Sequence, residues 1–256
     1  MTTTPSIRTE NLTIRFGGHA AVNQVSCAFH PGELTVIVGP NGAGKTTWFN
    51  LVSGQLRPSA GRILLGDRDI TGLSPAQRAK AGIGRAFQLT NLFPRLSVLE
   101  NVRLAVQSRA GQGHRPFVHA ASLAGVTDKA MHYLAQTNLV AVADLPAAAL
   151  PHGDQRKLEV AMLLAMEPQI FMFDEPTAGM SVDEAPVILD LIARIKQDSA
   201  RTILLVEHKM DVVRALADRI VVLHNGELVA DGEPGTVMAM DLVRDIYLGT
   251  GAEEVA

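Results

Sequence analysis

Apolar and polar positions along the chain follow two rhythms, and the switches between them outline its organisation. Residues 6–38 carry short apolar runs, SIRTENLTIRF, VSCAF and ELTVIVG, broken by Gly17-Gly18 and Pro31-Gly32. Runs of this length between turn residues predict strands. Thr35 to Val38 are all β-branched, the pattern of a strand covered on both faces. A glycine-rich turn follows, and TTWFNLVSGQL then predicts a helix stopped near Gly54. RILLGDRDI (62–70) reads as a short hairpin or edge segment. SPAQRAKAG (74–82) reads as a helix capped by Ser74 and ended by Gly82.

From about residue 90 to 167 the chain is rich in Ala and Leu and its apolar spacing turns helical. That predicts a helical subdomain, with the polar stretch 108–118 as a loop. Strand patterns return at 170 with IFMFDEP, then a helix over 184–197, TILLVEH, and a helix over 209–218. IVVLHNGELVADG gives two strands around Asn225-Gly226, the mark of a type I′ hairpin. Strands alternating with helices predict an α/β fold with a mostly parallel sheet and an N-terminal antiparallel β portion. The expected plan is a single domain over 1–256: an α/β core from 1–89 and 168–256, with the helical subdomain inserted at about 90–167.

Composition narrows the classes. With 47% hydrophobic and 19% charged residues the chain is an ordinary globular protein rather than a disordered or fibrous one. A net charge of −3 argues against nonspecific nucleic-acid binding. Cys27 is the sole cysteine, so no disulfide is expected and its role is that of a small buried hydrophobe. The longest unbroken apolar run, Val160–Met166, falls far short of the ~20 residues of a spanning helix. The first residues, MTTTPSIRTE, lack an apolar signal segment, and a cytoplasmic location is the expectation. The mean hydropathy of +0.15 is high for such a protein and suggests a partner surface.

Chemistry concentrates at three strand ends. GPNGAGKTT (39–47) fits G-x-x-x-x-G-K-[ST], placed between an apolar strand and a helix. Gly39, Gly42 and Gly44 let the loop, with Pro40, Asn41 and Ala43 between them, turn its N–H groups toward phosphate oxygens. Lys45 suits the β- and γ-phosphates, and the Thr46 hydroxyl, followed by Thr47, suits Mg²⁺. The strand IFMF ends in Asp174-Glu175, one acid for the metal and one to polarise water. On its own this pair reads equally as a solvated turn. TILLV ends in Glu207-His208, where a His can reach a γ-phosphate; alone, it reads as a surface His.

Taken together, these residues resemble the ATP-binding subunits of ABC transporters over essentially the whole chain. Phe16 matches the aromatic that stacks on adenine, and Gln88 in GIGRAFQL matches the Q-loop glutamine. LPHGDQRKLE (150–159) occupies the signature position, AGMS (178–181) the D-loop, and His208 the switch histidine. The resemblance implies a P-loop NTPase (RecA-like) core, ATP and Mg²⁺ as ligands, and ATP hydrolysis coupled to transport. It assigns catalysis to Glu175, His208 and Gln88, and the metal to Thr46, Gln88 and Asp174. The implied partners are two integral membrane permease subunits, a second, unlike ATP-binding subunit and, indirectly, a periplasmic or extracellular solute-binding protein, with the chain peripheral on the inner face of the membrane. GRAFQLTNLFPRLSVLENV, DEPTAGM, VEHKMDVV and IYLG resemble importers of the branched-chain amino-acid type; urea, amide and aromatic-acid importers share that pattern. Leu92, Phe93 and Pro94 lie where that family meets its membrane subunits, and read either as a docking patch or as core.

Two positions depart from the family. The usual Leu-Ser-Gly-Gly-Gln is Leu150-Pro151-His152-Gly153-Asp154, and Pro151 offers neither a hydroxyl nor an N–H. Ser181 stands in place of the D-loop Asp, with Ser181-x-x-Glu184 as a possible capping box for a helix from 182. Other classes fit less well. A soluble ABC-type ATPase usually has a long coiled-coil insertion or tandem cassettes. A GTP switch needs an Asn-Lys-x-Asp motif, which the chain lacks. A degenerate nucleotide-binding regulator would not keep Lys45, Glu175 and His208.

Overall fold

The computed structural model describes residues 6–86, 92–109, 120–181 and 183–250. The chain forms two compact units, one of Met1–Ile83, Ile170–Glu175 and Lys196–Ala256, the other of Gly84–Gln169 and Pro176–Ile195.

The first unit opens on β1 (Ile7–Phe16) and β2 (His19–Phe29), an antiparallel pair. After β3 (Leu34–Val38) and α1 (Lys45–Ser53), β4 (Ala60–Leu65) and the short β5 (Arg68–Asp69) pair back antiparallel. These strands make a four-stranded sheet in the order β2-β1-β4-β5. The stretch 62–70 is therefore both a hairpin and a sheet edge. The helix α2 (Pro75–Lys80) has the capping box Ser74–Gln77, so the Ser74 cap read from sequence is present.

A second sheet contains β6 (Ile83–Ala86), β7 (Ile170–Asp174), β8 (Thr202–Val206), β9 (Arg219–His224) and β10 (Glu227–Gly232), in the order β10-β9-β3-β8-β7-β6. The pairs β3·β8, β3·β9 and β7·β8 are parallel, and the β9·β10 hairpin is antiparallel. Every residue of β3, β7 and β8 is buried, as unbroken apolar strands in such a sheet must be. Between the sheets lies a core that includes Phe29, Trp48, Phe49 and Met172, with the Phe29 and Trp48 rings 5.4 Å apart. Helix α1 is too short to hold itself; its buried Trp48, Phe49, Leu51 and Val52 fix it.

The second unit is helical: α3 (Val98–Arg109), α4 (Ala120–Gln136) and α5 (His152–Ala165) close around Val98, Val102, Leu134 and Leu158. Residues 108 and 109, expected in a loop, still belong to α3, and 110–118 lie outside the described residues. Asn101, fully buried, accepts from Phe93 N and donates to the carbonyls of Phe93 and Ser97. It thereby fixes the loop before α3 and leaves Phe93 52% exposed, while Leu92 packs on the helical core.

Beyond these, α6 (Ala185–Lys196) begins later than the pattern indicated, and α7 (Met210–Leu216) sits within the expected span. The short α8 (Pro234–Met238), capped by Glu233, and α9 (Asp241–Thr250) were not anticipated. No described helix is long and apolar enough to cross a membrane.

Candidate active site

Parallel strands deliver their carboxyl ends to one edge of the sheet, the edge where α/β folds bind ligands. Here β8 lies between β3 and β7, and Val206 stands level with both Ile37 and Asp174. The loop 39–44, the pair Asp174-Glu175 and the pair Glu207-His208 therefore leave neighbouring strands at one level.

Three glycines shape the loop. A Cβ on Gly39 would lie 2.1 Å from the Leu223 carbonyl oxygen, and one on Gly44 2.4 Å from that of Ala21. Gly42 has nothing within 4 Å at its would-be Cβ, so the crown of the loop is open. Gly44, in the left-handed region at φ 98°, ends the loop and starts α1 without a side-chain cap, leaving the helix start to external acceptors. Thr46 is exposed in the first turn. The Lys45 ammonium, 6% exposed as a residue, donates to the carbonyls of Gly39 (2.6 Å) and Pro40 (2.8 Å). Burial lowers its pKa from the ordinary lysine value, and the carboxylates of Glu175 and Asp174 pull it back up. The two acids thus act on the lysine electrostatically.

Asp174 is 1% exposed at the end of β7. Glu175 has φ 48°, a left-handed conformation that costs a non-glycine residue on the order of 1–3 kcal/mol. A bond from its N–H to Val206 O (3.0 Å) holds it there. The turn swings its side chain to His208, whose Nε2 is 2.6 Å from Glu175 Oε1. His208 is oriented in turn by Glu207, 3% exposed, which accepts from the His208 amide at 3.0 Å and the Lys209 amide at 3.4 Å.

These residues suit a nucleoside triphosphate with Mg²⁺. The crown is open, the lysine is poised over loop carbonyls, and hard oxygen ligands are available in Thr46 and Asp174. Among the described residues no group of three or more His, Cys, Asp or Glu forms a metal cage. Mg²⁺ needs none, because it keeps waters and binds through one or two carboxylates plus substrate phosphates. Bound with the phosphates, it would offset charge on their oxygens.

Phe16 is 53% exposed at the end of the β1–β2 hairpin, where it pairs with His19; it is not core. Gln88 lies outside the described residues. In the helical unit, Pro151 is the N-cap of α5 and offers no side-chain cap. Asp154 is paired with Lys157 at 2.8 Å. A Cβ on Gly153 would lie 2.1 Å from Glu184 Oε1, so a carboxylate already rests against the first turn of α5. The Ser181–Glu184 capping box is only half made: Glu184 Oε2 accepts from Ser181 N at 3.1 Å and Oγ at 2.9 Å. Sequence reasoning missed the Glu184–Gly153 contact, because nothing in the spacing brings residues so far apart together.

Residues 22–178 match the family model described as ABC transporter. The chain belongs to the ABC transporter family, as an ATP-binding, ATP-hydrolysing subunit. It is 37% identical over 251 residues to the high-affinity branched-chain amino acid transport ATP-binding protein LivG of Escherichia coli K12, covering 96% of this chain and 98% of that protein. It is 36% identical, with the same coverage, to BraF of Pseudomonas aeruginosa, named for the same transport. An ABC transporter ATP-binding cassette solved in its ADP conformation superposes with a TM-score of 0.79 at 28% identity, over 96% of this chain and 100% of that one. A dimeric bacterial ABC transporter cassette gives 0.77 at 26% identity, over 89% and 98%. ABC cassettes energise membrane proteins, so this subunit has permease partners.

Proposed function

We propose that the chain is one of two ATPase subunits of an importer for branched-chain or related apolar amino acids, working as a single cassette on the inner face of the membrane. The convergence of Lys45, Asp174, Glu175 and His208 at one sheet edge supports hydrolysis at this chain's own loop. Glu175 is the base that draws a proton from the attacking water, and His208 holds that base and reaches the γ-phosphate. Thr46, Asp174 and Gln88 hold Mg²⁺, and Phe16 stacks on adenine. The likeness to LivG and BraF supports the substrate class.

ATP closes the two subunits on each other in this reading, each lending its signature helix to the other's nucleotide. The dimeric form of a related cassette supports it. The exposed Phe93 supports a docking role for the loop before α3. The test is reconstitution of the transporter in vesicles with MgATP inside. Uptake of labelled leucine that stops with Glu175→Gln is expected. A transporter stimulated by urea or an amide but not by leucine, isoleucine or valine would overturn the substrate assignment.

A further inference from the structure

The phosphate loop meets the β9–β10 hairpin backbone to backbone. At the hairpin turn Asn225 has φ 49° and Gly226 φ 78°, the doubly left-handed geometry of a type I′ turn. Gly226 N–H donates to Ala43 O at 3.1 Å, and Gly226 O accepts from Asn23 N at 2.8 Å. The side chains repeat the tie, with Asn23 Nδ2 donating to Glu227 Oε1 at 2.8 Å. A Cβ on Gly226 would stand 2.9 Å from Ala21 O and 3.0 Å from Ala20 O, so a side chain there must push the turn away from β2. Gly44 faces the same place, its would-be Cβ 3.3 Å from Gly226 Cα. Leu223, on the same hairpin, presents its carbonyl to Gly39.

We infer that Gly226 is a positioning residue for the phosphate loop; this rests on the reading of residues 39–46 as the site of ATP. The argument is peptide geometry. In a trans peptide the C=O and the following N–H point in opposite directions. Pinning the Ala43 carbonyl toward Gly226 therefore turns the Gly44 N–H away from the hairpin. An amide at a helix start serves an anion best when it is aimed before the anion arrives. The hairpin turn supplies that aim, and glycine is required there for its φ and for the close approach to β2.

The test is titration of the purified chain with MgATP and with MgADP, beside thermal melting. Gly226→Ala is expected to raise both dissociation constants by about tenfold, or about 1.4 kcal/mol. KM for ATP should rise in step while kcat at saturation stays within about threefold, the pattern of lost uniform binding. Gly66→Ala is the control, because Gly66 also has positive φ (55°) but nothing within 4 Å of its would-be Cβ. It should bear the cost of a left-handed alanine alone, a smaller loss in melting temperature, without a change in affinity. Should Gly226→Ala not fold, Asn23→Ala loosens the turn without a clash and should weaken both nucleotides by a smaller factor. Folded Gly226→Ala binding both nucleotides as tightly as wild type, or Gly66→Ala losing affinity equally, would overturn the inference. Failure of the wild-type chain to bind MgATP would instead remove the site reading on which it rests.

Discussion

His208 Nε2 and Glu175 Oε1 lie 2.6 Å apart, joining the ends of two neighbouring parallel strands through their side chains. Glu175 reaches that position only because its backbone is left-handed, and His208 only because Glu207 accepts from its amide. A base held by a second group is oriented before substrate binds. Glu175→Gln should keep MgATP binding and lose turnover by about 10²–10⁴, the usual contribution of a positioned base. His208→Ala should lower kcat as well, since Glu175 then loses the side-chain contact that orients it. His208→Gln should recover part of the loss through a retained hydrogen bond. Turnover by Glu175→Gln at the wild-type rate would show that another group handles the proton.

Phe16 presents an exposed ring at a hairpin end, so truncating it removes little from the core. Stacking of a base on an aromatic is worth roughly 1–3 kcal/mol. Phe16→Ala should therefore raise the dissociation constant of MgATP by about tenfold and leave the melting temperature of the nucleotide-free chain within a degree or two of wild type. Calorimetric titration checks the first and a thermal scan the second. An unchanged affinity would remove Phe16 from the adenine site.

Much of this was legible in the sequence, and the reason is local. The loop 39–47 and the strand ends at Asp174 and His208 are contiguous motifs whose chemistry depends on a strand, a turn and a helix start. Ser74 and Asn225-Gly226 likewise announce a cap and a turn through their own residues. The unreadable features depend on distant backbone. No pattern tells that Gly226 will meet Ala43, or that Glu184 will rest on Gly153. Arg78 is a further case. It is 1% exposed and donates to the carbonyls of Leu51, Val52, Leu73 and Thr71, closing the end of α1 where a positive charge suits the helix dipole. In sequence it is one basic residue of a polar helix. The short α8 went unseen because its capping residue, Glu233, is not among the usual N-cap types.

Cys27 supplies a probe of folding. Burial, followed by the nearby Asp231 carboxylate, pushes its thiol up to about 12, against a usual value of 9.0. A raised folded pKa means that the folded state holds its proton more tightly. The stabilisation from this group is complete below about pH 9 and is lost as pH rises toward about 12. The thiolate is the reactive form. Iodoacetamide at pH 8 should therefore leave the native chain unlabelled and label it in step with urea unfolding, measured by mass spectrometry. Fast labelling of the native chain would contradict the buried environment.

The last expectation concerns inequality between the two ATP sites. The chain's own loop is complete, but the helix start that it would lend to a second subunit is weakened. Pro151 is its N-cap, with no hydroxyl and no N–H to give a phosphate, and Asp154 is occupied with Lys157. Glu184 brings a carboxylate against Gly153. Bonds from the Ser181 amide and hydroxyl keep that carboxyl below its usual pKa, so it stays charged at neutral pH. An anion entering there meets a missing donor and a like charge. In a homodimer both sites would carry the defect; beside an unlike ATPase only the partner's site would. Losing one donor to a transition-state oxyanion costs about 10²–10³ in rate. With this chain's own site silenced by Glu175→Gln, Pro151→Ser should raise turnover at the partner's loop. Adding Glu184→Gln should raise it further, because the repulsion goes while the Ser181 bonds can persist. A fully active homodimer of the native chain, or no gain from either substitution, would mean that the phosphate at the partner's site is held without this helix start.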